Sequence, residues 1–561
     1  MILFSFKKRL ALPITSWQLC LLATIGGALS ALLIVGFTMT TDALQQLYLS
    51  EKNNYSSLDD LSRFQIPIIG ALIILLFSWI TGYKYLRTGI PFVLHRLKVA
   101  HGVIPLRNTI NQFIGSAVAL AAGFSVGREG PAAHLGAAFS SYLGSLLKLP
   151  HNSMRTLCAC GIAAAISASF NTPLAAVIFV MEVILREYKV HIFIPIMMAS
   201  LVGSMITSST LGPAHEFEYF NKIALGFEHY PALFVFAIAL GVIAFVFNKY
   251  LVGTIEHSAK YHIVTRLILA AFITGTIGYA VPVAMGSDLS AISSSIHEHS
   301  SLLLLLGLLL AKIIMTISAL GLGIPGGVIG PILGIGAIAG SCAAILVQSF
   351  FPEINLTSDF ALMGMAGFMA ATLNAPLAAL LAVVELSNQL DIIVPAMIVI
   401  ATACVVSGQF FQNRSLFVMQ LEIQNLVYRK PPLEKSLQRI GVLGVMNENF
   451  KITHQLSEKE QSDHLNQDDE NEILLDKIIT KEAENNLYYW VQQDKSISSN
   501  QTLTSHLLLP LHAQATLAEA YLLLVKKRKG AVYIYDNNID DIIGIITFEQ
   551  IRLFLIEGKI Q

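Results

Sequence analysis

A short phrase occurs twice in this chain, 200 residues apart. Gly127, Gly130, Pro131, Gly136 and Ala137 spell G-x-x-G-P-x4-G-A, and Gly327, Gly330, Pro331, Gly336 and Ala337 spell it again. Both copies lie in apolar sequence rich in small residues. A Gly-Pro break in such sequence leaves backbone N–H groups without an intrahelical partner. In hydrocarbon, groups of that kind persist only where they line a cavity. The gaps differ: Arg128 and Glu129 fill them in the first copy, Val328 and Ile329 in the second. A duplicated break at membrane depth, charged in one copy only, points to a pathway for ions.

Membrane depth follows from composition. Only 13% of the 561 residues are charged, against about 25% in soluble proteins. Residues 17–39 and 231–247 carry no charge, and residues 301–310 with their flanks and 392–404 are further apolar runs. About 20 apolar residues cross a bilayer as a helix, so the chain is a polytopic membrane protein. Its net charge of -1 implies no nucleic-acid partner. Cys20, Cys158, Cys160, Cys342 and Cys404 all sit in apolar segments, with neither a disulfide framework nor a metal-ligand spacing. Lys7-Lys8-Arg9 precedes an apolar run too long for a signal peptide. That run reads as a first spanning helix, with the N-terminus in the cytoplasm. A multi-pass protein of the cell (inner) membrane is the expectation.

A second duplication extends the first. Asn171-Thr172-Pro173-Leu174-Ala175-Ala176 is answered by Asn374-Ala375-Pro376-Leu377-Ala378-Ala379, 203 residues on. In each copy a glycine (Gly161, Gly364) lies ten residues before the asparagine and a glutamate (Glu182, Glu385) eleven after it. The membrane part is therefore two related halves, about residues 15–215 and 225–425. Spacing alone leaves open whether they run parallel or inverted. The symmetry of Glu182 and Glu385 favours a structural role, in capping or interhelical hydrogen bonding. Past residue 425 the composition turns polar. Arg429-Lys430 marks a cytoplasmic exit, and Asp468-Asp469-Glu470-Asn471-Glu472 belongs in water. The expected domains are a transmembrane domain over residues 1–428 and a soluble one over 429–561.

These residue types suit an anion. Pro131 and Pro331 fit the first turn of a helix, where a missing N–H costs nothing, and the glycines let backbone approach a ligand. A helix N-terminus carries about half a positive charge. Two such ends aimed at one point attract an anion weakly enough for release, which conduction requires. Glu129 at one of those ends would occupy the place of an external anion and act as a removable plug. The plainer alternative is a capping residue or a partner of Arg128. Lys312, an intramembrane cation, is expected to pair with a carbonyl or carboxylate rather than with the permeant ion.

The same motifs resemble those of the CLC family of voltage-gated chloride channels and chloride/proton exchangers. Gly127-Arg128-Glu129-Gly130-Pro131 matches its G-R-E-G-P motif, and Gly326-Gly327-Val328-Ile329-Gly330-Pro331 resembles G-G-x-F-x-P. Phe170-Asn171-Thr172-Pro173-Leu174-Ala175 resembles F-N-x-P-L-A. The resemblance implies an all-α polytopic membrane domain of two inverted repeats and a homodimer with one anion pathway per subunit. Its partners would be chloride or other small anions and the lipid bilayer, with no cofactor and no enzymatic activity. It makes Glu129 the gate. It makes the amides of Val328 and Ile329 the central anion site, and those around Gly127, Arg128 and Gly130 the outer one.

Three positions depart from the family pattern. His101-Gly102-Val103-Ile104-Pro105 stands for G-S-G-I-P, so Gly102, beside Ile104, replaces an anion-binding serine. Phe417 stands where a tyrosine hydroxyl is usual. Val183 occupies the place of an internal proton-relay glutamate. The third departure favours passive, channel-like conduction; proton exchange by a non-standard route is the alternative.

Residues 512–554 resemble a CBS motif, so a small α/β cytoplasmic CBS-like domain is expected. Its second motif would cover about 508–558, and its first, including Leu487-Tyr488-Tyr489-Trp490-Val491, would be degenerate. Gln550 replaces an Asp used by nucleotide-binding members, which argues against a nucleotide ligand. Lys526-Lys527-Arg528-Lys529 reads as a solvated helix end. Two rival motifs compete with transport. Gly123-Phe124-Ser125-Val126-Gly127 matches the G-x-S-x-G of serine hydrolases, which needs a strand–turn–helix context. His297-Glu298-His299 resembles a metal cluster but reads as surface histidines.

Overall fold

A computed structural model describes residues 2–83, 89–212, 225–286, 288–297, 301–350, 355–426, 432–454, 473–478, 487–493 and 503–557. A short helix, α1 (Ile2–Ala11), comes first. The first half then runs α2 (Trp17–Gln46), α3 (Asp60–Thr81), α4 (Gly89–Val99), α5 (Leu106–Ala121), α6 (Glu129–Leu146), α7 (His151–Phe170), α8 (Pro173–Phe179) and α9 (Val190–Leu211). The second repeats that order as α10 (Tyr230–Ser258), α11 (Ile263–Ala280), α12 (Asp288–His297), α13 (Leu302–Leu322), α14 (Ile329–Gln348), α15 (Thr357–Leu373), α16 (Pro376–Ser387) and α17 (Ile393–Val405), with α18 (Leu416–Ile423) to follow. Among the described residues nine helices are long and apolar enough to cross a membrane. Arg429-Lys430, the acidic run from Asp468 to Glu472, and Glu298 and His299 with the side chain of His297 lie outside the described residues.

Local chemistry explains the repeated stops and restarts. Asn171 and Asn374 sit at φ 56° and 53°, ending α7 and α15 in the left-handed region. Asparagine tolerates that conformation better than most residues. Two residues later Pro173 and Pro376 open α8 and α16, at the position that loses no hydrogen bond. An Asn-x-Pro triplet thus encodes a helix end and a helix start within three residues.

Small residues set the packing inside each half. A methyl group added to Gly136 of α6 would lie 2.2 Å from the carbonyl oxygen of Gly161 in α7, and one on Gly336 of α14 would lie 2.4 Å from that of Gly364 in α15. The backbones touch at equivalent points in both halves. Close approach of this kind is how membrane helices gain dispersion energy without a hydrophobic drive between them.

The halves hold each other by exchanged caps. Glu385 of α16 accepts from the amides of Leu174 (2.9 Å) and Ala175 (2.7 Å) at the start of α8. Glu182, in the π-turn Val180–Leu185 that continues α8, accepts from Leu377 (3.3 Å) and Ala378 (2.7 Å) at the start of α16. Each carboxylate satisfies the orphan N–H groups of its counterpart. The repeats are inverted, and the matching positions of the two glutamates in them reflect these exchanged caps. Lys312 of α13 is fully buried and donates to the carbonyls of Ala284 (3.2 Å) and Gly286 (3.1 Å).

The chain divides into two compact units. One is Cys20–Leu143 with Thr156–Tyr428; the other is discontinuous, joining Met1–Leu19 and Gly144–Arg155 to Arg429–Gln561. In the latter, α19 (Pro432–Leu437) precedes a four-stranded sheet in the order β1 (Phe450–His454), β2 (Ile473–Ile478), β3 (Leu487–Gln493), β4 (Leu503–Leu507). A second sheet pairs β5 (Leu509–His512) parallel to β6 (Ala531–Tyr535), and β6 antiparallel to β7 (Ile542–Thr547), with α20 (Leu517–Leu524) as the crossover and α21 (Phe548–Glu557) last. Both helices start on reciprocal caps. The Thr516 amide donates to Glu519 at 2.7 Å, and the Gln550 amide donates to the Thr547 hydroxyl at 3.1 Å while the Thr547 amide donates back to the Gln550 side chain at 2.9 Å. Gln550 is therefore committed to its own helix. Lys526, Lys527, Arg528 and Lys529 are exposed just beyond α20.

Replacing Glu385 by Ala strips the amides of Leu174 and Ala175 of their acceptor. The expected loss is about 2 kcal/mol, read as a lower thermal midpoint in detergent. Glu385→Gln, which keeps one carbonyl oxygen, is expected to lose less.

Candidate functional site

The two copies of the opening phrase meet in space through their backbones. The Gly127 amide donates to the Gly327 carbonyl at 2.8 Å, and the Gly327 amide donates to the Gly127 carbonyl at 2.7 Å. This antiparallel bridge lies just before the first residues of α6 and α14. Only glycine permits it. A methyl group on Gly130 would stand 2.7 Å from Cα of Gly327, and one on Gly327 would stand 2.5 Å from the Gly130 nitrogen. Real Cβ atoms do not make such contacts, and here the opposing atoms are backbone.

Glu129 opens α6, and its carboxylate folds back over the bridge. Its Oε2 lies 2.0 Å from where a Cβ on Gly127 would sit and 2.9 Å from where one on Gly327 would sit. The residue is 2% exposed. The N-cap residue of α14 is Val328, whose side chain has no polar atom to cap with. Val328 and Ile329 are both buried. Glu129 and Ile329 share a narrow cavity of about 40 Å³ at the junction of the halves, with Phe170 and Thr172 from one half and Leu333 and Met369 from the other. Such a volume holds one small ion or a few waters. The Arg128 guanidinium lies 5.6 Å from the centre of the Phe170 ring, over its face.

Other expected residues stand apart from this cavity. Gly102, Ile104 and Phe417 are buried but are not among the described residues lining it. Gly102 has φ +92°, a conformation that strains any other residue, and a Cβ there would stand 3.0 Å from Cβ of Cys158. The glycine is thus what the backbone demands, and a serine in this conformation would press on α7. Ile104 precedes Pro105, the N-cap of α5. Phe417 packs in the first turn of α18, and Val183 is buried in the π-turn after α8.

Two polar groups were not singled out by motif. Ser415, the N-cap residue of α18, has a buried hydroxyl with no hydrogen-bond partner among the described residues. His134, five residues after Glu129, is fully buried, stacks on Phe92 at 5.6 Å, and has neither ring nitrogen hydrogen-bonded among the described residues. No motif marks either of them: His134 is a lone polar residue among small apolar ones, and Ser415 follows the polar Gln412-Asn413-Arg414. Ser125 is corrected from the hydrolase reading. Its buried hydroxyl bonds the Thr316 hydroxyl at 2.8 Å, and it lies in a bend between helices rather than after a strand.

Two helix starts joined by a glycine bridge, with a buried carboxylate folded over it and inverted repeats on either side, form the frame of a membrane transport protein. The sequence model described as voltage gated chloride channel matches residues 69–408, and the chain belongs to that family, the CLC proteins. Solved structures share the fold. A slow cyanobacterial Cl-/H+ antiporter is 20% identical with a TM-score of 0.65, over 73% of this chain and 98% of its own. A CLC-type fluoride/proton antiporter is 20% identical with a TM-score of 0.60, over 72% and 97%. A eukaryotic CLC transporter is 17% identical with a TM-score of 0.58, over 95% and 97%.

Gly130→Ala is expected to destabilise the protein by about 1–3 kcal/mol or more, because the opposing backbone cannot move aside. Gly307→Ala in α13, where an added methyl meets nothing within 4 Å, is the control. It is expected to be neutral or to gain up to about 1 kcal/mol of helix propensity. Thermal midpoints of the two purified variants decide the comparison.

Proposed function

We propose that this chain carries chloride, or another small anion, through a pathway gated by Glu129, by passive conduction. The observation that supports it best is the Glu129 carboxylate lying over the bridge where the starts of α6 and α14 meet. Ionised, the carboxylate occupies the electropositive point that an entering anion needs. Protonated, it loses that attraction, swings away and leaves the point to the permeant ion. The amides of Val328 and Ile329 at the start of α14 hold the ion next, with Gly127, Arg128 and Gly130 providing the outer amides. Weak attraction by partial charges lets the ion leave again. In this proposal Gly102, Ile104 and Phe417, which do not line the cavity at Glu129, lie farther along the pathway and offer the ion backbone and apolar surface rather than hydroxyl donors.

The working unit in this proposal is a homodimer in the cell membrane, with N-terminus and tail in the cytoplasm. The tail acts as a CBS-like packing module over residues 429–561. The β5-α20-β6-β7-α21 order supports that reading. The commitment of Gln550 to its cap supports a module that binds no nucleotide.

A second reading, anion/proton exchange, draws support from the two antiporters among the solved relatives and from the buried His134, five residues after Glu129 on α6. Against it stands Val183, which cannot carry a proton. Under an imposed chloride gradient, proteoliposomes are expected to show no uphill proton movement. Uphill movement would establish exchange in place of conduction.

The gate has a definite sign. Protonation opens it, so wild-type flux is expected to rise as pH falls, by up to about tenfold per unit above the gate's pKa. Glu129→Gln mimics the protonated state and is expected to give high flux with a flat pH profile. A Glu129→Gln profile that still follows the wild type would remove Glu129 from the gating role.

A further inference from the structure

Apart from the cavity at Glu129, the membrane domain carries a groove of about 610 Å³. It lies where α10 ends and α11 begins, beside the last residue of α13, and its walls are mainly apolar. Gly253, Leu269 and Leu322 form that part of the lining. Its polar lining includes Lys249, His257 and Arg266, with no carboxylate among the described residues. The volume falls in the range of small-molecule sites, about 300–1,000 Å³.

Arg266 is the informative member. Its Nε is buried and makes no hydrogen bond among the described residues. The guanidinium lies against Gly323, the left-handed residue that ends α13, with a terminal nitrogen 3.1 Å from where a Cβ would be. A buried guanidinium nitrogen without an acceptor carries a desolvation cost, and an anionic oxygen would remove it. Lys249 lies one turn from Phe245 with its ammonium 5.7 Å from that ring centre, so its flexible stem can reach along the groove. Tyr250 and Tyr261, both exposed, flank the same end. Tyrosines with lysine and arginine mark the headgroup level of a bilayer.

We propose that this groove binds one anionic phospholipid. Its phosphate is held by Arg266 with help from Lys249, and its acyl chain runs over Leu269, Gly253 and Leu322. Charge complementarity selects the headgroup: the lining offers cations and no acid. The apolar walls select a lipid over a free anion, because inorganic phosphate would leave most of the groove uncovered. The site is separate from the cavity at Glu129, and the proposal stands whether or not that residue gates.

The test is native mass spectrometry of the full-length protein after titration with phosphatidylglycerol or phosphatidylcholine. One phosphatidylglycerol per chain is expected to be retained, with about a tenfold preference over phosphatidylcholine. Arg266→Gln is expected to abolish the preference, Arg266→Lys to keep part of it, and Leu269→Trp, which fills the groove, to lose retention while Arg266 is intact. Lys52→Gln, at an exposed lysine paired with Asp42 in a loop, is expected to behave as wild type. Equal retention of the two lipids, wild-type retention by Arg266→Gln or by Leu269→Trp, or displacement of phosphatidylglycerol by millimolar inorganic phosphate would each overturn the proposal. Gel filtration identifies any variant that fails to fold, and the Leu269→Trp result then decides.

Discussion

Two backbone hydrogen bonds between Gly127 and Gly327 are the contact on which the membrane domain depends. They fix how the two halves meet, and they bring the starts of α6 and α14 together. Because each glycine both donates and accepts, the pair is reciprocal, and the reciprocity imposes an antiparallel relation on the repeats. The requirement for glycine follows from distance. At a few ångströms between backbones, no side chain fits at Gly127, Gly130 or Gly327. A broken helix in hydrocarbon is normally costly; here the break supplies its own partner on the other half.

The exchanged caps of Glu182 and Glu385 repeat this logic a short distance along the chain. At both places the opposite repeat supplies hydrogen-bond partners at, or just before, a helix start. The difference lies at α14, whose N-cap residue Val328 has no polar side chain, and at α6, where Glu129 belongs to the helix it opens. Symmetry therefore explains the scaffold, and its local breaking explains the proposed site. The tail obeys the same physical requirement with ordinary soluble devices, the Thr516–Glu519 and Thr547–Gln550 caps.

Much of this was legible in the sequence. The Gly-x-x-Gly-Pro and Asn-x-Pro repeats announce helix ends and starts, and their offsets announce two halves. The recurrence of Glu182 and Glu385 announces a structural pair, although only the structure shows that each caps the other's helix. Orientation was not legible, because a sequence offset is the same for parallel and inverted repeats. Gly102 looked like a lost anion ligand; the structure shows a positive-φ position pressed against Cys158, a fact about backbone that residue type alone does not carry. His134 escaped notice because a lone polar residue in an apolar run has no pattern to match, and Ser415 because it is one more polar residue after Gln412-Asn413-Arg414. The discontinuous unit that joins Gly144–Arg155 to the tail escaped because long-range packing leaves no local signature.

The central claim is that the bridged starts of α6 and α14 form an anion site for which Glu129 competes. Anomalous diffraction from crystals grown in bromide tests it directly. The account predicts a bromide peak at the amides of Val328 and Ile329, and a second, over the Gly127–Gly327 bridge, that appears or strengthens in Glu129→Gln. Bromide absent from both places in the wild type and in the variant would contradict it.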